Sequence, residues 1–267
     1  MEAEPFVDIH CHLIPGIDDG SQSLDESLAM ARMAVADGFG TTICTPHQLG
    51  NFGHNTGADI RRRLGELQTA LDEHGIPLCV LPGADVRIEP GMVARLRRGD
   101  VLSLADKRKH MLLELPHELY VPLDRLLKEL HAAGCVGILS HPERNQGILQ
   151  QPGVVRPLCE AGCLMQVTAG SFLGAFGPQI KQFSEWLLEH GLVHFLATDA
   201  HSPKSRRPLM RQAFERVAEL AGRATAVELC CRNPARVAAG QSVEARVTPI
   251  SSRSRGLGSW LRLKKAC

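Results

Sequence analysis

Residues 7–20 read VDIHCHLIPGIDDG, and the rest of the chain is organised around them. The apolar run 6–9 predicts a short buried strand that ends in two histidines one residue apart. Side chains alternate along a strand, so His10 and His12 should point the same way and suit a divalent cation. Asp18 and Asp19 follow in a Gly-bounded loop and can add oxygen ligands. One His-x-His pair also arises by chance, so the interpretation depends on where the other histidines and acids fall.

Composition narrows the class of protein. The 267 residues suit one α/β barrel or two small domains, and 44% hydrophobic residues are enough for a sizeable core. A formal net charge of +1 gives no indication of a polyanionic partner. Nine cysteines without a C-x-x-C pair, mostly inside apolar runs, are typical of a reduced cytoplasmic protein. The acidic start lacks the apolar core of a signal peptide, so we expect a cytoplasmic location.

Short apolar runs alternate with amphipathic segments along the chain. The predicted strands are 6–9, 41–44, 78–81, 111–115, 135–139, 163–167 and 193–197. Helices are predicted between them, among them 24–35, 60–71, 121–133, 179–190 and 206–221. This alternation favours a parallel, barrel-like α/β domain over residues 1–245. Residues 246–267 form a Ser/Gly-rich, then basic tail, which we expect to be flexible, with a weak membrane-surface contact as the alternative.

The candidate ligands follow the predicted strands. They are His10, His12, His47, Asp85, Glu114, His141, Asp199 and His201, together with the loop residue Asp19. The carboxyl ends of barrel strands converge and carry the active site. Five histidines with several carboxylates are too many for one tetrahedral zinc and indicate two or three divalent cations. Such cations lower the pKa of a bridging water and bind a phosphoryl oxygen.

Two arginines lie close to these candidates in the chain. Arg144 follows His141 in HPER, and Arg206 follows His201 in HSPKSRRP. A single surface arginine is most often a solvated charge. A guanidinium beside clustered cations is typical of a phosphate-binding site, so both are candidate catalytic residues.

The motifs DIHCH, DDG, TPH, GAD, LLEL, SHPER and ATDAH occur in this order. Together they resemble the PHP (polymerase and histidinol phosphatase) superfamily over about residues 6–240. Within it, the chain resembles the bacterial manganese-dependent protein-tyrosine phosphatases of capsule and exopolysaccharide operons. The resemblance implies a distorted (β/α)7 TIM-like barrel of the PHP type, a metal-bridging hydroxide as nucleophile, and Arg144 and Arg206 gripping the phosphate.

The resemblance also implies ligands, metal and partner. His10, His12 and Asp199 would hold one cation, Asp85 would bridge to a second with Glu114 and His141, and a third would bind Asp19, His47 and His201. Mn²⁺ is favoured, with Fe²⁺, Co²⁺ or Zn²⁺ as alternatives. The substrate would be the phosphotyrosine tail of a cognate tyrosine autokinase that controls polysaccharide synthesis.

Two positions depart from the family pattern. The family usually has Glu where this chain has Asp85, so the spacing or affinity of the cations is in question. A basic residue often follows the histidine of TPH, and here it is Gln48.

Other functions stay open at this point. The same site would serve histidinol phosphate or a nucleic acid 3′ end, although the near-zero net charge argues against nucleic acid. A non-catalytic metal-binding module is a further alternative, favoured by Asp85. The Cys-x5-Arg sequence from Cys230 to Arg236 matches cysteine-based phosphatases in spacing only, because it contains Pro234 and no glycine.

Overall fold

A computed structural model describes residues 4–245. The predicted basic tail, residues 246–267, lies outside the described residues. The strands are β1 (Phe6–Cys11), β2 (Phe39–Cys44), β3 (His47–Gln48), β4 (Cys79–Pro82), β5 (Asp85–Arg87), β6 (His110–Glu114), β7 (Val136–Ser140), β8 (Leu164–Thr168) and β9 (Phe195–Ala197). The helices are α1 (Leu24–Asp37), α2 (Gly57–Glu73), α3 (Met92–Arg98), α4 (Asp124–Ala132), α5 (Gln146–Gln150), α6 (Val155–Glu160), α7 (Ala169–Phe172), α8 (Pro178–Glu189), α9 (Arg211–Ala221), α10 (Arg223–Val227) and α11 (Asn233–Ala238).

The strands form two parallel sheets that share one ring. One sheet has the order β1-β2-β4, and the other has the order β3-β5-β6-β7-β8-β9. Because β3 continues the path of β2 and β5 that of β4, the nine strands occupy seven positions around the ring. The predicted distorted (β/α)7 barrel describes this arrangement.

Hydrogen bonds between the end of β1 and the segment after β9 close the ring. The Asp199 amide donates to the His10 carbonyl at 2.7 Å, and the His12 amide donates to the Ala200 carbonyl at 2.9 Å. Cys11 and Ala200 form a parallel bridge between them. The closure brings residues almost 190 positions apart into contact at the carboxyl end of the barrel.

A compact apolar cluster fills the barrel. It contains residues from six strands, together with Leu104 and Val237: Ile9, Ile43, Leu112, Ile138, Leu164 and Phe195. Residues from strands on opposite sides of a ring can meet only inside it, so this cluster is the barrel interior. A second, larger cluster lies between strands and helices. These two layers leave the carboxyl end of the barrel for polar side chains.

Local sequence signals explain the helix ends. The Ser23 hydroxyl accepts a hydrogen bond from the Glu26 amide at 3.3 Å and caps α1, as predicted. Gly38 ends α1 with φ of 111°, a conformation that favours glycine. The predicted helix 206–221 is wrong at its start, since α9 begins at Arg211. Arg206 has φ of 50°, which a helix cannot accommodate. Among residues 4–245, no helix has both the length and the apolar character needed to cross a bilayer.

Candidate metal centre

Strand register brings the candidate ligands together at one end of the barrel. His47 opens β3 and lies opposite Asp85, the first residue of β5. Glu114 closes β6 and lies opposite Arg87. Residues 141, 199 and 201 follow β7 and β9 directly. All these side chains lie together at one rim of the barrel, as expected from the sequence.

Asp85 lies at the centre of the cluster. Its Oδ2 is 3.5 Å from His10 Nε2, 3.6 Å from His47 Nδ1 and 3.9 Å from His141 Nε2. Both carboxylate oxygens are buried and accept no hydrogen bond within the described part of the chain. A buried carboxylate without a partner is costly unless a cation compensates it, so this donor set fits a metal ion.

The two histidines of the first motif face each other. His10 Nε2 and His12 Nε2 are 3.2 Å apart, as strand alternation predicts. Asp199 Oδ1 lies 3.2 Å from His10 Nε2 and 3.4 Å from His12 Nε2. The three donor atoms are thus close enough to surround one cation.

A third set of donors lies nearer the solvent. Asp19 Oδ1 is 3.3 Å from His47 Nε2 and 3.5 Å from His201 Nε2. The Asp19 side chain is 56% exposed, whereas the Asp85 side chain is fully buried. The centre is therefore buried on the side of Asp85 and accessible to solvent on the side of Asp19.

Four overlapping groups have donor atoms that all lie within 4.8 Å of one another: His12–Asp19–His47–His201, His10–His12–Asp85, His10–His141–Asp199 and His47–Asp85–Glu114. All nine predicted ligands occur in these groups. Because the groups share members, they resemble one cluster for several cations more than separate single sites.

Both predicted arginines lie at the edge of this cluster. The Arg144 and Arg206 guanidiniums each contact Asp199 Oδ2. Arg144 also lies over the Phe176 ring, 4.7 Å from its centroid, which holds the plane of the guanidinium. The backbone of Asp199 and His141 adopts positive φ, at 51° and 35°. Such strained conformations persist where the surrounding structure holds them, often at functional sites.

Residues 6–239 match the family model described as capsular polysaccharide synthesis, CpsB/CapC. The chain belongs to this family. It is 40% identical to the tyrosine-protein phosphatase YwqE of Bacillus subtilis (strain 168) over 203 residues, which cover 75% of this chain and 79% of YwqE. It is 31% identical to the putative tyrosine-protein phosphatase CapC of Staphylococcus aureus, over 78% of this chain and 82% of CapC.

Solved structures agree with this assignment. A crystal structure from work on YwqE of Bacillus subtilis and CpsB of Streptococcus pneumoniae, described as unique metal-dependent tyrosine phosphatases, matches with a TM-score of 0.86. The match is 35% identical and covers 92% of this chain and 100% of that chain. A prolidase with 12% identity and a TM-score of 0.54 shares the fold only. The resemblance, the fold and the enzyme class predicted from the motifs are confirmed.

Three polar residues of this CpsB/CapC chain support the histidines, and the sequence analysis did not assign them that task. Asp18 and Gln166 contact histidine rings, whereas Asp8 accepts a hydrogen bond from the His10 amide. Asp18 Oδ2 lies 2.7 Å from His12 Nδ1 and also accepts a hydrogen bond from the His47 amide. Gln166 Oε1 lies 2.8 Å from His10 Nδ1. Asp8 accepts hydrogen bonds from the backbone and side chain of Thr198. Only Asp18 carried a signal, since it sits beside Asp19 in the DDG motif.

Burial and charge act against each other in this CpsB/CapC centre. Burial lowers the pKa of His10 to about 3, against the raising effect of Asp199 and Asp85. The imidazole is therefore neutral and has a lone pair for a cation. Burial also lowers the pKa of His12, but Asp18 and Asp199 outweigh it and raise that pKa to about 10. A cation at His12 would thus displace a proton, a common coupling in metal sites.

Two further motifs of the CpsB/CapC chain have structural explanations. Gln48 is buried, its side-chain amide donates to the carbonyls of Asn55 and Asp100, and its oxygen accepts from the Leu102 amide. It holds the loop after β3. Cys230 is buried in a π-helical turn, Glu228–Arg232, and burial raises the pKa of its thiol far above the usual value. Arg236 contacts Glu228, so the Cys-x5-Arg sequence from Cys230 to Arg236 does not form a phosphate-binding loop.

Proposed function

We propose that this chain is a metal-dependent protein-tyrosine phosphatase that acts on a bacterial tyrosine autokinase of capsule or exopolysaccharide synthesis. The observation that carries the proposal is the convergence of nine metal-binding side chains and two arginines on one barrel rim. The names of YwqE, CapC and CpsB support the reaction class. The phosphotyrosine tail of the kinase is the proposed substrate.

We propose the ligand assignment that the family motifs imply, with all of these donors on one rim. His10, His12 and Asp199 would hold one cation, and Asp85, Glu114 and His141 would hold a second. Asp19, His47 and His201 hold a third, with His12 close to the same group. Mixed nitrogen and oxygen ligands suit Mn²⁺, Fe²⁺, Co²⁺ and Zn²⁺, and among these the family resemblance favours Mn²⁺. When bound, the cations supply an acidified water and polarise a phosphoryl oxygen.

Arg144 and Arg206 are the proposed phosphate-binding residues. Both guanidiniums converge on one face of Asp199, and each can donate two parallel hydrogen bonds to a phosphate. Two fixed positive charges at this point stabilise the negative charge that develops during phosphoryl transfer. Phe176 restricts the motion of Arg144, so little reorganisation is needed when substrate binds.

Asp85 does not favour the alternative of a non-catalytic module. Although its side chain is one methylene shorter than the usual Glu, Oδ2 comes within 3.9 Å of three histidines. A carboxylate at the centre of the donor groups supports a working metal site.

A cytoplasmic location is part of the proposal. It is supported by the cysteines, because all eight in residues 4–245 are free and seven of them are buried. Buried free thiols are typical of a reducing compartment. We propose no nucleic acid partner, and a membrane-surface contact through residues 246–267 stays a prediction.

One experiment tests the proposal. Purified protein is stripped of metal, reloaded separately with Mn²⁺, Fe²⁺, Co²⁺ and Zn²⁺, and assayed for phosphate release from a phosphotyrosine peptide, histidinol phosphate and an oligonucleotide. Elemental analysis of the protein as purified accompanies the assay. We expect turnover of the peptide that is highest with Mn²⁺ and absent without metal. Preferential turnover of histidinol phosphate, or activity that survives metal removal, would contradict the proposal.

A further inference from the structure

A cavity of about 190 Å³ lies beside the metal centre. It is lined by residues 47–52, Arg87 and Glu114. Two of these lining residues, His47 and Glu114, are candidate metal ligands. An apolar cavity of about 150 Å³ is large enough for benzene. This cavity is therefore large enough to hold one aromatic ring within reach of the donor cluster.

Apolar and aromatic side chains form the wall next to His47. The half-buried Phe52 stacks on the His47 imidazole, with ring centroids 5.3 Å apart and an angle of 21° between the planes. Leu49 is buried beside it. A stacked aromatic wall of this kind favours another aromatic ring over an aliphatic group.

Arg87 lines the same cavity. Its guanidinium donates to the Leu115 carbonyl at 3.1 Å and lies 3.7 Å from Glu114 Oε2, and the side chain is about one-third exposed. A guanidinium has five N–H donors, so these contacts leave capacity for a further anion. Glu114 is assigned to a cation in the loaded enzyme, so its carboxylate would attract the Arg87 guanidinium less strongly.

Gly50 lies next to the aliphatic part of the Arg87 side chain. A Cβ atom at Gly50 would lie 3.2 Å from Arg87 Cγ, and the glycine has φ of 52°. The loop thus passes directly over the side chain, and a bulkier residue at position 50 would press on it. The hydrogen bond to the Leu115 carbonyl and the nearby loop restrict the rotamers that Arg87 can adopt.

The ring topology separates Arg87 from the proposed phosphate-binding arginines. Arg87 ends β5, whereas Arg144 and Arg206 contact Asp199 after β9, across the barrel. A phosphate bound by the latter pair leaves Arg87 available for a different negative group. On a peptide, the nearest such group is the carboxylate of a residue beside the phosphotyrosine.

We propose that this cavity binds the tyrosine ring against Phe52, and that Arg87 binds an Asp or Glu side chain adjacent to the phosphotyrosine. The substrate class is therefore a phosphotyrosine peptide with acidic neighbours. This inference rests on the proposed phosphatase function.

The test compares two phosphotyrosine peptides, one with Glu and one with Gln on both sides of the tyrosine, using the Mn²⁺-loaded full chain. We expect kcat/KM to be about fivefold higher for the Glu peptide, as one partly exposed ion pair allows. The Arg87→Gln variant should lose that preference, and Arg87→Glu should reverse it in favour of a Lys-flanked peptide. Arg125→Gln is the matched control, because this side chain is 93% exposed on α4 and should keep the preference.

A second variant tests the ring. Phe52→Ala should raise KM for both peptides about fivefold, the scale of one aromatic pair. An unchanged KM in Phe52→Ala, or an equal loss on both peptides in Arg87→Gln, would overturn the subsite. If the wild-type enzyme releases no phosphate from either peptide, the proposed function has failed instead, so the two failures are distinguishable.

Discussion

Hydrogen bonds at Nδ1 orient three histidines of the metal centre. His12 Nδ1 contacts Asp18, His10 Nδ1 contacts Gln166, and His201 Nδ1 lies 2.9 Å from the Asp199 carbonyl. Each contact leaves Nε2 directed at the donor cluster. Such partners fix the tautomer of a metal-binding imidazole and raise its basicity.

Asp18 is therefore a sensitive position. We expect Asp18→Asn to weaken Mn²⁺ binding about 10- to 100-fold, because the amide cannot hold His12 with the same charge. Activity measured against Mn²⁺ concentration checks this. Asp25→Asn, at an exposed site in the first turn of α1, is the control and should behave as the wild type. Equal metal dependence in both variants would exclude an orienting effect of Asp18.

Arg144 contributes differently, through charge at the phosphate. Its side chain is only 12% exposed and is packed against Phe176, so its position is fixed. We expect Arg144→Ala to lower kcat about 10²-fold with the metal content unchanged, the scale of losing one preorganised donor. Steady-state kinetics with elemental analysis measures both quantities. Arg98→Ala removes a well-exposed charge on α3 and serves as the control. Normal turnover in Arg144→Ala would remove this assignment.

Among the chain elements, the loop between β1 and α1 is the most tightly constrained. It turns back on itself, so that the Ser21 amide donates to the His12 carbonyl at 3.1 Å. A Cβ atom at Gly20 would lie 2.4 Å from both the Cβ and the carbonyl oxygen of His12. The glycine in DDG is thus required by close packing against a candidate ligand.

Gly20→Ala tests this packing. We expect a loss of about 1–3 kcal/mol in unfolding free energy, because backbone and ligand must both move, together with reduced turnover. Gly65→Ala is a matched control, since nothing lies within 4 Å of that position in α2. It should raise stability by about 0.5–1 kcal/mol. Thermal melts of both variants give the comparison, and a Gly20→Ala protein as stable and active as the wild type would refute the packing argument.

The π-helical turn with Cys230, unlike the loop between β1 and α1, lies away from the metal centre. It is buried among helices and contributes no atom to the metal centre, so Cys230→Ser should leave kcat unchanged. A small loss of thermal stability is expected from burying a hydroxyl. An inactive Cys230→Ser enzyme with a normal melting curve would revive a cysteine-based mechanism.

For the molecule as a whole, the barrel concentrates buried negative charge at the rim where cations are proposed to bind. Asp85 and Asp199 are both fully or almost fully buried at the same rim. The neighbouring histidines, with the arginines at Asp199, outweigh burial and keep the pKa of each carboxyl well below its usual value, so both are ionised. Cations that bind the folded state and not the unfolded chain must then stabilise the fold.

We expect Mn²⁺ at about 100 times its dissociation constant to stabilise the protein by about 2.7 kcal/mol. For a domain of this size that corresponds to a rise in Tm of roughly 5–10 °C. Differential scanning calorimetry of stripped and reloaded protein measures it, and a chelator should reverse it. His141→Ala should diminish the rise, and a Tm indifferent to Mn²⁺ would mean that the donors do not form a cation site.

Much of the fold follows from local pattern. Seven of the strands were predicted within a few residues, because each is a short apolar run bounded by helical periodicity. β3 and β5 were missed, since strands of two and three residues carry no period. The start of α9 was misplaced because Arg206 gives no sequence sign of its left-handed backbone.

The candidate ligands were recognisable in the sequence because histidines and acids recur at strand ends, where parallel strands must converge. The supporting residues Gln166, Asp8 and Thr198 were not, because two lie in ordinary strands, the third follows β9, and their contacts form only when the ring closes. The chain's residue types thus establish which donors are available and at which end of the barrel. Which donor meets which was settled in three dimensions, since the 2.7 Å bond from Asp199 to His10 forms only when β9 reaches β1.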